Sequence, residues 1–555
     1  MAFTEALYQL ASHPLRNYPG PFLAKFIDAY GGYHAVKKRL HLATYDGHRK
    51  YGPVFRPAPN RLVFNTVAAY NGENFHWKPC ERLGLAVLTI VPDFYLNPST
   101  NKAQIYRHSQ FNPQHNIFGS LDKERHRQKR KVYGRMLSER SLRIFEPTMI
   151  GEIETFLNQL VGSGGEPVNM TPMCECLTAD VAGELAFGQP LHTQTETTNR
   201  VFPRAMLSMN FLVSLFMTWP ALSTTWPLLR RLNQRNGAVF SSVIERIIAA
   251  RMKLPRDARH DFYSICADST YSEEEGLGQS ELWAEAVFIL PAGALFPFPR
   301  SSCNVTCMGS GTSWSLMAAF SLTFPLLGGT TLKAALSAVF FYLSHNPDSY
   351  RKLATEIRTR FSLGSDIQSG PQLSECKYLR AMIDESMRLS PPFLGTFWRE
   401  QHASSTEPLV VDGRVIPAGI TVGVNLYCLM HNEAYFSDAF SFKPERWLAP
   451  EEGEDASGEK EQEAGRATMR KAFAPFSLGE ASCLGKGMAY LKISLTLAKT
   501  LWCFDFEKAP GELGRVGEGH AGMKDDARRR AGEYRLFDIS TADHDGPYLV
   551  FRRRA

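Results

Sequence analysis

Cys483 lies in a loop whose sequence suits a thiolate that binds a metal. An apolar pattern with helical spacing follows it, from Leu484 to Leu501. We therefore expect Cys483 at a helix N-terminus, where the helix dipole and free N–H groups lower a thiol pKa and keep the sulfur anionic. Gly479 permits a sharp turn and Gly485 leaves room for a flat cofactor. The loop reads Phe476-Ser477-Leu478-Gly479-Glu480-Ala481-Ser482-Cys483-Leu484-Gly485.

This loop resembles the cysteine loop of the cytochrome P450 superfamily, Phe-x-x-Gly-x-Arg-x-Cys-x-Gly. Phe476, Gly479, Cys483 and Gly485 match, but Ala481 stands where the family usually has an Arg or His that binds a haem propionate. The resemblance implies heme b (iron protoporphyrin IX), with Cys483 as the iron ligand and Phe476 beside the sulfur. The alternative is a buried structural cysteine. A phosphate-binding loop is excluded, because five residues separate the two glycines where four are required.

A second motif places Glu385 and Arg388 three residues apart on a predicted helix, with Arg446 about sixty residues further on. By itself such a pair is common on exposed helices. The P450 resemblance implies that the three side chains form a buried network that braces the cysteine loop and performs no chemistry.

His126 and Arg130 lie four residues apart in a basic stretch, Glu124 to Lys131. They resemble the family's aromatic-x-x-x-Arg pair, which implies contacts with haem propionates. The resemblance further implies that exposed residues of this basic stretch, such as Lys129, face the reductase that supplies electrons. A solvated basic face or a nuclear-localisation mimic is the alternative.

The resemblance also implies a residue that delivers protons to oxygen. The family motif Ala/Gly-Gly-x-Asp/Glu-Thr is present as two halves, Ala292-Gly293 and Gly329-Thr330-Thr331. Thr330 is the candidate catalytic residue, without the usual acidic partner, and a helix-capping threonine is the alternative.

We expect substrate contacts from Phe211–Trp219 and Phe393–Phe397, which are largely apolar or aromatic and equally typical of a core.

Composition restricts the class of protein. The chain has 555 residues, a net charge of +6 and 44% hydrophobic residues, which allow a large core and argue against a dedicated nucleic-acid protein. Its 10 cysteines show no zinc spacing, and a reducing compartment is expected. Residues 1–18 are interpreted as a membrane-proximal segment, the remnant of an anchor, because Tyr18-Pro19-Gly20-Pro21 resembles the hinge that follows a microsomal anchor. The resemblance implies the cytosolic face of the endoplasmic reticulum membrane.

The predicted fold is mainly α with small β-sheets, a single large P450 domain over residues 19–555. Strands are expected near Tyr51–Phe64, Leu409–Asn425 and Tyr534–Arg553, and the acidic run Glu451–Lys471 is expected to be a solvated loop. Residues 72–98 and 294–328 interrupt the pattern. The second contains three prolines, each costing a helix about 3 kcal/mol. We interpret both as foreign insertions such as retained intron sequence, with long surface loops as the alternative.

The resemblance implies a haem-thiolate monooxygenase that inserts one oxygen atom from O2 into a small lipophilic substrate. Electrons would come from NADPH-cytochrome P450 reductase. The closing sequence and the hinge resemble filamentous-fungal members of secondary metabolism. Two alternatives stay open: a haem-thiolate isomerase or dehydratase that needs no reductase, and a non-catalytic protein whose oxygen-activating helix is interrupted.

Overall fold

Helices are the commonest secondary structure among the residues that the computed structural model describes. It describes residues 7–72, 74–80, 85–91, 95–97, 99–109, 116–225, 246–247, 249–251, 253–255, 257–267, 330–449, 459–520, 522 and 530–554. The α-helices in these ranges are α1 (Ala29–Val36), α2 (Leu40–Tyr51), α3 (Val67–Asn71), α4 (Lys123–Met136), α5 (Glu139–Gly162), α6 (Met170–Phe187), α7 (Val201–Thr218), α8 (Phe262–Ala267), α9 (Thr330–His345), α10 (Pro347–Arg360), α11 (Pro371–Ser374), α12 (Lys377–Leu389), α13 (Leu426–Met430), α14 (Glu459–Ala472) and α15 (Lys486–Cys503).

The strands form small sheets, as the sequence predicts. They are β1 (Val54–Ala58), β2 (Arg61–Phe64), β3 (Asn74–Cys80), β4 (Leu85–Val91), β5 (Thr100–Lys102), β6 (Val168–Asn169), β7 (Arg399–Gln401), β8 (Leu409–Val411), β9 (Arg414–Ile416), β10 (Thr421–Val424), β11 (Phe504–Lys508), β12 (Phe537–Ile539), β13 (Thr541–Asp543) and β14 (Tyr548–Arg553). The largest sheet has the order β1-β2-β10-β7-β5. Within it, β2 and β10 are parallel and β5 pairs with β7 antiparallel.

The main core lies where helices α4 to α6 pack with α9, α10, α12 and α15. Helix α9 is buried all round from Leu332 to Leu343. A helix that is apolar on every face belongs in the centre of a large core. Helix α15 packs against both α9 and α12. The residues just before α15 therefore have rigid helices on both sides.

The prediction that Glu451–Lys471 forms a solvated loop is wrong for the part of this segment that the structure describes. Residues from Glu459 onwards form α14, and Met469 and Ala472 are buried in a second hydrophobic cluster that includes Val67, Ala69 and Tyr70 of α3. Glu, Lys, Arg and Ala are all strong helix formers, and one buried face stabilises the helix.

The structure describes part of the first predicted insertion, residues 72–98, but none of the second, residues 294–328. Strands β3 and β4, within residues 72–98, form a hairpin whose described residues pair only with each other. Residues 294–328 lie outside the described ranges, as do Ala292, Gly293 and Gly329. Both insertions and the domain bounds stay predictions. Across the described residues, no helix is both long enough and apolar enough to span a bilayer.

Candidate active site

The cysteine loop is a tight turn fixed by its own backbone. The amide of Cys483 donates a 2.8 Å hydrogen bond to the carbonyl of Phe476, which closes the loop just before α15 begins. Gly479 has φ +70°, and a Cβ there would lie 2.4 Å from the carbonyl oxygen of Tyr95. Only glycine fits at this position, because the conformation and the space both exclude a side chain. The predicted placement of Cys483 at a helix N-terminus is confirmed.

The Cys483 thiol is exposed, but towards an internal cavity that it lines with Phe476, Leu484 and Gly485. Thr331, Leu332 and Ala335 of α9 line the same cavity, and no Asp or Glu of the described residues lines it. Most of the wall is apolar, as expected for a lipophilic ligand.

The predicted lowering of the Cys483 pKa is wrong for the chain alone. Burial raises the pKa of the thiol, while a backbone hydrogen bond at Gly485 and the charges of Arg130 and Lys486 counteract burial only in part. Desolvation therefore raises the pKa of the thiol by more than the helix N-terminus lowers it. A metal cation bound at the sulfur would reverse the balance, since a coordinating thiol is deprotonated outright.

Positive charge is concentrated at one end of the cavity. Lys102, Arg130 and Arg399 line it together with His126, and all but Arg130 are less than a tenth exposed. Burial, together with the neighbouring cations Lys102, Arg130, Arg399 and Lys129, lowers the pKa of His126 to about 2. His126 is therefore neutral in an environment that strongly favours bound anions.

Lys102 and Arg399 were missed by sequence reasoning. They are directly paired across β5 and β7, and the Lys102 Nζ donates 2.7 Å hydrogen bonds to the carbonyls of Ile117 and Phe118. Almost 300 residues separate the two in sequence, so no local motif joins them. Arg130 donates to the carbonyl of Ser482, next to Cys483. Lys129 is fully buried, so the prediction that it faces a reductase is wrong.

A haem group fits this cavity by the chemistry of its wall. A thiol stands on one face, apolar side chains surround it, and cations without a lining carboxylate gather at one end. These features complement an apolar macrocycle that carries an iron and two propionates. Ala481 also lines the cavity and supplies no charge, whereas Lys102 and Arg399 line it with charged side chains.

Comparison with known proteins agrees with this geometry. The sequence profile of the family described as "Cytochrome P450" matches residues 92–294 and 316–515. The chain belongs to the cytochrome P450 family. It is 30% identical to the cytochrome P450 monooxygenase apf7 of Gibberella fujikuroi over 99% of this chain and 95% of apf7. It is also 29% identical to the cytochrome P450 monooxygenase poxM of Penicillium oxalicum over 99% of this chain and 92% of poxM. The P450 is thus an oxidoreductase that uses haem, O2, a redox partner and a small-molecule substrate.

The predicted charge network is present in this P450. Arg388 binds the carboxylate of Glu385 with two hydrogen bonds of 2.8 and 2.9 Å, and Arg446 donates to it at 3.1 Å. Glu385 and Arg388 are completely buried. Although burial raises the pKa of Glu385, Arg388 and Arg446 lower it overall. Trp447 extends the network towards the segment before the cysteine loop, because it donates to Glu385 at 2.9 Å and packs on Phe473, three residues before Phe476, with 4.7 Å between ring centroids.

The phase of α9 distinguishes its two threonines. Thr331 lines the cavity, whereas Thr330 is buried and does not line it. Thr331 and Ala335 are four residues apart and share one helix face. Of the segments predicted to contact substrate, Phe393 and Phe397 line the cavity. The segment Phe211–Trp219 contributes instead to a second cavity, through Ser214, Met217 and Thr218.

Proposed function

We propose that this P450 inserts one oxygen atom from O2 into a small lipophilic substrate in fungal secondary metabolism. The observation that carries the proposal is that Cys483 and Thr331 line one and the same largely apolar cavity. The related fungal proteins, which are named monooxygenases, support the same reaction class.

When bound, heme b would supply oxygen activation through an iron whose thiolate ligand favours O–O cleavage. Cys483 would hold the iron. Lys102, Arg130 and Arg399 would neutralise the propionates, with His126 as a neutral hydrogen-bonding neighbour. Phe476, which packs beside Tyr490 with 5.2 Å between ring centroids, would pack beside the sulfur and tune the bound iron.

Thr331, rather than Thr330, is the proposed proton-handling residue. Thr331 lines the cavity that Cys483 also lines, whereas Thr330 does not. A threonine hydroxyl both donates and accepts, so it can hold a water and pass a proton without changing its own charge.

We propose that NADPH-cytochrome P450 reductase binds the outer side of the cysteine loop. Arg127, Lys131 and Arg135 are exposed on one face of α4, and Lys486 is exposed at the start of α15. Such a face attracts an acidic partner. Reversing the charges of Lys131 and Arg135 should slow reduction by the reductase but not by dithionite; equal reductase rates would contradict the placement.

We also propose that the chain lies on a membrane surface, on the cytosolic face of the endoplasmic reticulum. Large apolar side chains are exposed near the N-terminus: Phe22 (65%), Leu23 (59%), Ile27 (49%) and Tyr33 (58%). A cluster of this kind is typical of a membrane or protein interface. Flotation with phospholipid vesicles, lost in a Phe22→Asp and Leu23→Asp double variant, tests the surface, and microscopy of a fluorescent fusion tests the compartment.

The proposed reaction is tested with isotopically labelled O2. Purified haem-loaded protein, reductase and NADPH are incubated with an apolar substrate library, and products are analysed by mass spectrometry. Products carrying one labelled oxygen atom are expected. Rearranged or dehydrated products formed without NADPH would support the isomerase or dehydratase alternative and overturn the proposal.

A further inference from the structure

Lys333 is a charged residue inside the central helix of the core. It belongs to α9, is completely buried and does not line the cavity that contains the Cys483 thiol. Because two residues of an α-helix span just over half a turn, Lys333 and Thr331 point to nearly opposite sides of α9. Thr330, three residues before Lys333, shares its side of the helix, in agreement with the absence of Thr330 from the cavity wall. A lysine is almost never fully buried unless it is paired, so its partners restrict the helix.

Two carboxylates from different elements hold the Lys333 ammonium. Its Nζ is 3.6 Å from Oε1 of Glu175 on α6 and 3.5 Å from Oδ1 of Asp543 on β13. It makes no hydrogen bond within the described part of the chain, so the attraction is between charges in a poorly hydrated core. Lys38, which is partly exposed, lies 3.5 Å from the other carboxylate oxygen of Asp543. The neighbouring His544 adds no positive charge, because burial and Lys333 lower its pKa well below the ordinary value.

The two carboxylates connect α9 to different walls of the site. Glu175 belongs to α6, which packs along α9 in the main core. Asp543 ends the β12–β13 hairpin, in which Thr541 forms a β-bridge with Phe393. Phe393 lines the cavity. The Lys333 ammonium therefore holds α9 against α6 on one side and against the hairpin beside Phe393 on the other.

We propose that Lys333 is a positioning residue that fixes the rotation of α9 and so keeps Thr331 on the cavity wall. A rotation by one residue would turn Thr330 towards the cavity and move the ammonium away from both carboxylates into the surrounding apolar core. A buried charge that loses its partners is strongly unfavourable, so the rotated helix is excluded. This inference rests on the proposed role of Thr331 and adds the residue that positions it.

Infrared spectroscopy of carbon monoxide bound to the reduced, haem-loaded protein tests the inference without reductase or substrate. The C–O stretching band reports the polar groups around the bound gas. We expect Lys333→Met to shift or split this band in the direction that Thr331→Ala shifts it, because in both variants the hydroxyl leaves its place. Lys499→Met is the matched control. Lys499 is a buried lysine of α15 that donates to the carbonyl of Gly364 at 3.1 Å, neither residue lines the cavity, and the band should stay unchanged.

Turnover provides a second, quantitative test. Lys333→Met should lower the product formed per NADPH by roughly ten- to a hundredfold, because misplacing a reacting group by about 1 Å can cost a hundredfold. Combining it with Thr331→Ala should lower this ratio no further than Thr331→Ala alone, since both changes remove the same hydroxyl from the cavity. If Lys333 only stabilises the fold, Lys333→Met and Lys499→Met would both lose stability and keep the unmodified band and ratio. That result, or additive effects in the double variant, would overturn the inference.

Asp543→Asn keeps the test decisive if Lys333→Met does not fold. It removes one of the two carboxylates at a partly exposed side chain of nearly the same shape, and it should shift the C–O band in the same direction by a smaller amount. Asp545→Asn, which alters an exposed carboxylate two residues further on, should leave the band unchanged. An unchanged band in Asp543→Asn would overturn the inference. Absence of labelled oxygen in the products, with the infrared differences intact, would reject the proposed reaction and leave the positioning role standing.

Discussion

Arg130 of α4 donates a 2.8 Å hydrogen bond to the main-chain oxygen of Ser482, the residue before Cys483. The bond joins the helix that carries His126 to the loop that carries the thiol, and it directs a cation towards the sulfur. One side chain therefore both positions the cysteine loop and adds positive charge to the cavity.

Arg130→Met should weaken haem retention. Loss of the loop contact and of one cation is expected to reduce haem affinity roughly ten- to a hundredfold, the usual cost of removing a residue that supports a metal ligand. Haem transfer to apomyoglobin measures the change. Lys131→Met removes an exposed charge from the same helix and should behave like the unmodified protein. Equal haem loss from both variants would show that Arg130 has no special role.

Glu385→Gln should destabilise the fold and impair haem incorporation. It leaves Arg388 and Arg446 buried without their carboxylate, and breaking a buried ion pair costs about 3–5 kcal/mol. Chemical denaturation measures the free energy of unfolding. Glu375→Gln, which breaks an exposed pair with Arg360, should cost no more than about 1 kcal/mol. A fully haem-loaded Glu385→Gln variant of unchanged stability would contradict the bracing role.

The same carboxylate makes stability depend on acid pH. Because the pKa of Glu385 is lowered in the folded chain, its contribution is present above the unfolded value of about 4.3 and is lost as pH falls through the folded value. The difference in unfolding free energy between the unmodified protein and Glu385→Gln should therefore shrink below about pH 4. Denaturation curves at a series of pH values measure it, and a constant difference would be inconsistent with an ionised Glu385.

Thr331→Ala should uncouple NADPH consumption from product formation. Without the hydroxyl on the cavity wall, proton delivery is expected to slow by roughly a hundredfold, the lower end for proton-transfer catalysis. Product formed per NADPH is the measurement. Thr330→Ala alters a buried threonine that does not line the cavity and should keep its coupling. The reverse ranking of the two variants would place the catalytic hydroxyl on Thr330.

The sequence predicted the parts of the site that depend on local patterns. The cysteine loop needs a glycine at 479 and a helix after it, and Glu385 with Arg388 needs only helical spacing. Each of these two patterns lies within ten consecutive residues, so it can be recognised in the sequence. The strands near β1, β2 and β8 to β10 were likewise readable from alternation and turn residues.

Features that depend on packing could not be read in this way. Lys102 reaches Arg399 only through the pairing of β5 with β7, which brings together distant segments. Whether Lys129 is buried, and whether Thr331 or Thr330 lines the cavity, depends on which face of the helix packs against its neighbours. Rotating the helix by one residue would change both outcomes. The raised pKa of Cys483 reflects desolvation, which no local motif encodes.

Carbon monoxide binding to the reduced, haem-loaded protein tests the central claim most directly. Because the thiolate donates electron density to iron, a Soret band at the position characteristic of thiolate ligation is expected. Cys483→Ser should abolish this band, whereas Cys503→Ser, at the far end of α15, should keep it. A protein that stays colourless when supplied with haemin, or a Cys483→Ser variant with an unchanged spectrum, would contradict the account.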